Sequence, residues 1–425
     1  MTIDINKQPT PAADSGSFAG DTVTESTLGS AFQDYINRLR GGDMRSLPAI
    51  LGLVLLVIIF SLASDTFTTR LNIANLMTQA GPICVLALGL IPVLLLGEID
   101  LSAGVAGSTG AMATGLLIVD HGQGWIVGVL AALVVGAGIG LSIGLLVARL
   151  GIPSFVVTLA YFLGLQGVML KFIGQGGSVR FNNEVLRGLA IKNVDPTVGW
   201  IGAAVIVAVF AAISLRTYRI QVAQGLQRPP MSLVLIRIGV LAAVLIGVVA
   251  FMNQNRSRNP NFPIEGVPQM LIVVVALLIL WTFILTRTRY GRHIYAVGGN
   301  AEAARRAGIN VARIRTSAFV ACTTMAAISG LLLAANTGKV SPSSGGGNAL
   351  LYAVGAAVIG GTSLFGGKGR AIDAVIGGLV IATIINGLLL LNNAAWINYV
   401  VTGGVLLIAA GVDAISRRRR SAAGV

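Results

Sequence analysis

RYGRHIYAVGGNAEAARRAGINVARIR, residues 289–315, is a basic, alanine-rich segment set between two apolar runs, and its placement orders the rest of the chain. The flanking runs, 269–286 and 317–335, each approach the roughly 20 apolar residues that a helix needs to cross a bilayer core. From Arg287 to Arg315 there are seven arginines against one acid, Glu302. Positively charged loops between spans stay on the cytoplasmic side, so this segment is expected to face the cytoplasm. Asn300 is placed to cap a short helix, Glu302 falls in a first turn where the helix dipole favours an acid, and Gly308 supplies the stop. Ala303, Ala304 and Ala307 give that helix a small-residue side. Arg305 and Arg306 present forked donors suited to carboxylates. The residues alone leave two readings open: a helix that seats against another protein, and a solvated helix under the bundle.

Composition agrees with a membrane protein. Of 425 residues, 55% are apolar and 11% charged, and mean hydropathy is +0.83, values that place the chain among polytopic membrane proteins. Glycine, at 55 residues, suits close helix contacts and interrupted helices in lipid. The net charge of +14 lies in loops between apolar runs, which favours cytoplasmic loop charge over nucleic-acid binding. Cys84 and Cys322 fall inside apolar segments and read as packing residues. His121 and His293 have no Cys, Ser or Asp grouping around them, so no metal site, cofactor or catalytic set is expected.

Twelve spans are expected, at about 47–63, 80–96, 101–119, 125–147, 155–173, 200–215, 233–252, 269–286, 317–335, 350–364, 371–391 and 397–415. The chain thus reads as an all-α polytopic membrane protein, some of its helices interrupted. Residues 1–46 are expected to form a disordered cytoplasmic tail, 47–415 the transmembrane domain and 416–425 a basic cytoplasmic tail. With both termini inside, the basic residues at 149, 216–228, 287–315, 368–370 and 417–420 are all cytoplasmic, while the basic loop 174–199 lies outside.

Two polar islands interrupt the apolar runs. GEIDLSAG, 97–104, places Glu98 and Asp100 two residues apart; a carboxylate at mid-membrane costs about 2.5–3.5 kcal/mol on insertion scales, so each needs a partner, water or the interface. Asp100 is expected as the N-cap of the next helix, a role compatible with an interrupted helix lining a pathway. IGGTSLFGGKG, 359–369, resembles a phosphate loop only superficially: Gly367 stands where the motif needs lysine, and Gly369 follows Lys368 where it needs Ser or Thr. It reads instead as a close helix approach. The two islands lie in different halves of the chain, which suggests inverted repeats. Asn75 and Asn386 are expected in interhelical hydrogen bonds more than in substrate contacts.

GRHIYAVGGNAEAARRAGINVARIR (291–315), GEIDLSAG (97–104), AAVIGGTSLFGGKG (356–369) and INYVVTGGVLLIAAGVDAISRRRR (397–420) together resemble the permease subunits of bacterial ABC sugar importers of the ribose and xylose class. GEIDLS and an additional pair of spans within 199–252 are similar to xylose-type permeases in particular. The resemblance implies a pore in the inner membrane, built as a homodimer, that translocates a monosaccharide such as xylose or a similar pentose. A separate ATPase subunit would bind ATP, and an extracytoplasmic binding protein would deliver the sugar. It further implies ATPase coupling through Gly299, Asn300, Ala301, Glu302, Ala304, Arg305, Arg306 and Gly308. Glu98, Asp100, Ser102 and Asn386 fall on the translocation path by the same resemblance. Relatives usually carry Gly-any-Glu-Leu-Asp before AAVIGG. Here Asn348, Ala349, Leu350, Leu351 and Tyr352 occupy that stretch, so any role of those acids does not carry over. The rival reading is an ion-coupled secondary transporter, which would keep titratable residues deep in its bundle.

Overall fold

The computed structural model describes residues 46–391 except 227, 258, 260 and 347, together with 29, 33, 396, 397, 399–405, 407 and 411. The expected terminal tails, and most of the expected 397–415 span, lie outside the described residues.

The helices follow the apolar runs. In chain order they are α1 (Leu47–Ala63), α2 (Arg70–Leu95), α3 (Ala103–Val119), α4 (Trp125–Ala148), α5 (Ser154–Ile173), α6 (Glu184–Ile191), α7 (Pro196–Ala223), α8 (Met231–Met252), α9 (Gln269–Arg287), α10 (Arg289–Gly299), α11 (Ala301–Arg306), α12 (Val311–Thr337), α13 (Asn348–Gly360) and α14 (Ala371–Leu390). Two short strands, β1 (Val179–Arg180) and β2 (Lys339–Val340), pair antiparallel with Val179 opposite Val340. Two helices begin well before the hydropathy boundary. α2 starts ten residues ahead of 80 because Thr69 caps it, accepting from the Asn72 amide, and Asn72 is satisfied inside the bundle by Asn386. α12 starts at Val311 because Asn310 accepts from the Arg313 amide at 2.9 Å.

The described residues divide into two compact units, one of which holds residues 203–245. Residues 203–245 comprise most of α7 and α8 and carry Arg216, Arg219, Arg228 and Arg237 with no acid among them; the Arg228 guanidinium lies 5.8 Å from the Tyr218 ring centre.

In the larger unit the core is built on α2 and α12, which pack antiparallel and are the most deeply buried of the long helices. Glycine sets how close the other helices come. Along α4, small residues recur every fourth position at Gly128, Ala132, Gly136, Gly140 and Gly144, all buried. This small-residue stripe lets backbones meet in lipid. A Cβ on Gly136 would stand 2.7 Å from the Thr323 carbonyl oxygen, and one on Gly140 would stand 2.5 Å from that of Phe319. Thr316 donates to the Gly144 carbonyl at 3.1 Å, sealing the α4–α12 seam.

α2–α3–α4 and α12–α13–α14 are assembled alike. Each trio has a long buried helix, a non-helical return segment (96–102 or 338–346), a shorter helix and then a helix that packs beside the shorter one. α12 packs on α3 and α4, and α2 packs on α13 and α14. The trios run in opposite senses. The α2–α3 return lies at the end of the bundle where 298 and 366 meet it, whereas the α12–α13 return leaves the opposite end, where β2 pairs with β1.

Gly140→Leu tests the α4 seam against Gly138→Leu, because nothing lies within 4 Å of a Cβ on Gly138. Overpacking at Gly140 should destabilise the purified protein by roughly 1–3 kcal/mol or prevent its accumulation. Gly138→Leu should melt as the unaltered protein does. Equal melting of the two variants in detergent would contradict the seam.

Candidate functional site

The basic segment folds as two short helices, of which only the second was expected. Thr288 caps α10: its hydroxyl accepts from the Gly291 amide at 3.2 Å and donates to the Ile284 carbonyl at 2.6 Å. α10 buries Gly291, Ile294 and Val297. That three-residue spacing behind a threonine cap was a helix signal masked by the arginines and His293. Asn300 ends α10 and starts α11, giving its N–H to Ala296 and accepting from the Ala303 amide at 2.9 Å. α11 closes on Gly308, at φ 82°. The Gly308 amide bonds the Arg305 carbonyl and the Ile309 amide bonds that of Ala304, which satisfies the last free carbonyls.

The side chains of α11 divide otherwise than the sequence suggested. Ala304 is buried in the chain's own core, so the expected small-residue side is split, with Ala303 and Ala307 left exposed. The six-residue helix must turn one side inward to be held at all, and Ala304 is the residue that turns. Arg305 and Arg306 pair within the helix to Glu302, at 3.0 and 3.2 Å. All three are exposed, so these pairs add little stability and leave the charges available to a partner. Gly299 and Gly308 are also exposed, and Ala301 is half-buried.

The segment is fastened to both polar islands through backbone. Gly97, Gly366 and Gly367 have φ of 72°, 84° and 73°, which favour glycine. The Gly367 amide donates to the Leu95 carbonyl at 2.8 Å. A Cβ on Gly298 would overlap the Leu95 carbonyl oxygen, and one on Gly366 would stand 3.0 Å from Gly298 O and Gly97 N. Tyr295 donates its hydroxyl to the Gly369 carbonyl at 2.6 Å. Burial, with the nearby Asp373 carboxylate adding and Arg370 opposing, raises the Tyr295 phenol above its ordinary range, so the proton needed for that bond is retained. Arg315 meets Glu98 at 3.3 Å. The glycines of IGGTSLFGGKG therefore join three chain segments.

Asp100 is not the N-cap of α3. Ser102 holds that position, and the Asp100 Oδ1 accepts from its amide at 2.9 Å and its hydroxyl at 2.6 Å. The chain needs this extra turn because residues 97–102 climb from Glu98, beside Arg315, to Asp100, beside Cys322. Asp100 and Ser102 are fully buried, and Asp100 Oδ2 has no hydrogen-bond partner among the described residues. Asn386 exchanges two hydrogen bonds with Asn72, at 2.9 and 3.1 Å, and also reaches Gln79 at 3.4 Å. Its amide thus holds α14 to α2, while Asn75 is exposed. Among the described residues, no three or more His, Cys, Asp or Glu side chains come together as a metal site.

Residues 72–410 match the family described as the branched-chain amino acid transport system permease component. The chain belongs to this permease family. The Escherichia coli (strain K12) xylose transport system permease protein XylH is 33% identical over 385 residues, covering 90% of this chain and 94% of that protein. The Haemophilus influenzae xylose permease is 31% identical over 398 residues, 90% and 99% of the two chains. The E. coli (strain K12) ribose import permease protein RbsC is 30% identical over 366 residues, 86% and 92% of the two chains. No solved structure matches the permease.

Gly298→Ala and Gly299→Ala separate the junction from its surroundings. The first puts a methyl group on the Leu95 carbonyl, and the second meets nothing within 4 Å. Gly298→Ala should lower the melting temperature of the permease by several degrees, equivalent to roughly 1–3 kcal/mol, while Gly299→Ala should leave it within experimental error. A thermal shift series in detergent checks both.

Proposed function

We propose that this chain is the membrane-spanning subunit of an ABC importer that carries a monosaccharide, xylose or a similar pentose, across the bacterial inner membrane. The observation that carries the reading is the 33% identity to a xylose permease over 90% of the chain. Eight described helices are long and apolar enough to span a membrane, and α1, α3 and α13 are shorter apolar helices. Eight and three make eleven, and the apolar run at 397–415 makes the twelfth. α3 and α13 complete their crossings with the return segments before them, an arrangement that supports inverted repeats.

The basic segment 287–315 faces the cytoplasm with both termini, and the β1–β2 end of the bundle faces outward. A separate ATPase binds the exposed side of α11 through Arg305, Arg306 and the surface around Gly299, Asn300, Glu302 and Gly308. Ala301 and Ala304 seat the helix against the permease itself. The knot of Leu95, Gly298 and Gly367 then carries motion of α10 to both polar islands at once. Glu98 secures the first of these to Arg315, and Asp100 with Ser102 shapes the interrupted start of α3 along the path. Two copies form the pore, and an extracytoplasmic binding protein delivers the sugar.

Radiolabelled xylose, ribose and glucose offered to a strain lacking its own pentose importers, with this gene and its ATPase and binding-protein partners supplied, test the reading. Pentose uptake that stops when the ATPase is omitted is the expected result; uptake independent of the ATPase would support an ion-coupled carrier. Orientation has its own measurement. A cysteine at Gln123 should react with an impermeant maleimide in intact cells, and one at Asn310 only after permeabilisation; both positions are exposed, whereas Cys84 and Cys322 are buried.

A further inference from the structure

The return segment 338–346 reaches deep into the bundle. α12 is ~40 Å long at about 1.5 Å per residue, and Gly330 lies ~28 Å from its Val311 end. Gly330 crosses α3 at Gly107, and the first two turns of α3, at Gly104 and Ser108, meet Gly345. Five residues after β2, the chain has therefore left the end of the bundle and arrived beside the interrupted start of α3. α13 begins there, with Leu350 against Gly104. The third wall is α5. A Cβ on Gly346 would stand 3.4 Å from Gln166 Nε2, and Gln166 lies ~18 Å along a helix of ~30 Å, near mid-membrane.

Polar groups at that depth need a partner or water. Ser344, Gly346, Asn348 and Gln166 are all half-buried, so they reach the surface of the protomer. Tyr352, one turn further along α13, is also half-buried and lies near Asn348. Behind them the Ser108 hydroxyl is buried, has no hydrogen-bond partner among the described residues, and is covered by Gly345. The Ser344 hydroxyl accepts from the Ser341 amide at 2.9 Å and Asn348 lies against Tyr352, but hydrocarbon offers no partner to Gln166 or to the buried Ser108 hydroxyl.

We propose that Ser108, Gln166, Ser344, Asn348 and Tyr352 line the water-filled sugar path of the permease, with the Gly104–Gly345 contact as its closed constriction. Every one of these side chains is a neutral hydrogen-bonding group. Such a set fits the hydroxyls of an uncharged monosaccharide and offers no charge to the ammonium or carboxylate of an amino acid. The glycine pair lets two backbones touch and shut the path, and lifting Gly345 uncovers Ser108 for a sugar hydroxyl. This rests on the permease reading and assigns the residues that the substrate passes.

Water access gives a test that does not depend on uptake. Methanethiosulfonate reagents with a fixed positive charge react with thiolates in water and not with thiols in lipid. In the complex with its ATPase and binding protein in proteoliposomes, Gln166→Cys should react at least tenfold faster than Val168→Cys, which lies on the opposite flank of α5 at nearly the same depth. D-xylose with ATP should change the Gln166→Cys rate. The buried Cys84 and Cys322 set the unreactive baseline. Equal rates at the two positions would overturn the proposal. In the same complex Ser108→Ala removes a hydroxyl without a partner among the described residues, so the complex should assemble and hydrolyse ATP normally while maximal xylose uptake falls roughly three- to tenfold, the worth of about one hydrogen bond. Unchanged uptake would remove Ser108 from the path. Failure of the permease reading itself would show instead as no ATP-dependent uptake by the unaltered complex.

Discussion

A backbone that leaves helical geometry inside a bilayer must find its hydrogen bonds in protein or in water, because hydrocarbon supplies none. Both trios of this permease break that geometry once, at 96–102 and at 338–346, and the rest of the larger unit is arranged to accommodate those breaks. The first is held in part from within: Asp100 Oδ1 accepts from the Ser102 amide, and Thr158 contributes a long bond to Ile99 O at 3.4 Å. The second carries serines, glycines and Asn348 to a surface where α5 places Gln166. Chemistry in a transporter belongs where the backbone is irregular at depth, and here the two irregular segments touch at Gly104 and Gly345.

Glycine makes that arrangement possible. α4 meets α12, α14 meets α13 and α2, and the basic segment meets both polar islands, at positions where a Cβ would overlap another chain segment. The close approach gives many weak dispersion contacts where no hydrophobic force operates between helices. It also makes the structure stiff at a few points. The junction of Leu95, Gly298 and Gly367 is one of them, and it lies between the surface offered to the ATPase and the return segment beneath α3.

Much of this was legible in the sequence, for identifiable reasons. Apolar runs mark helices because lipid permits little else, and α1 spans the same residues as its hydropathy run. Asn300 and Gly308 were readable because capping is local chemistry. What failed to show depends on distant partners. The first ten residues of α2 look like a loop until Asn386 is seen to satisfy Asn72. Ala304 looks free until the core beneath α11 is present. Asp100 looks like a cap because the sequence does not show how far 97–102 must climb before α3 can start. The strip at Gln166, Ser344 and Asn348 was visible only as isolated polar residues and a missing acidic pair.

The central claim is that α10 and the 365–369 island move as one body with the start of α3 when the ATPase works. Spin labels at Ala296→Cys and Lys368→Cys, both exposed positions, report it through the distance between them, read from the dipolar broadening of continuous-wave electron paramagnetic resonance spectra in the full importer with ADP and with a non-hydrolysable ATP analogue. The same narrow distance in both states is the predicted result. A shift of several ångströms between the two states would contradict the account, because the junction would then open when the permease needs it closed.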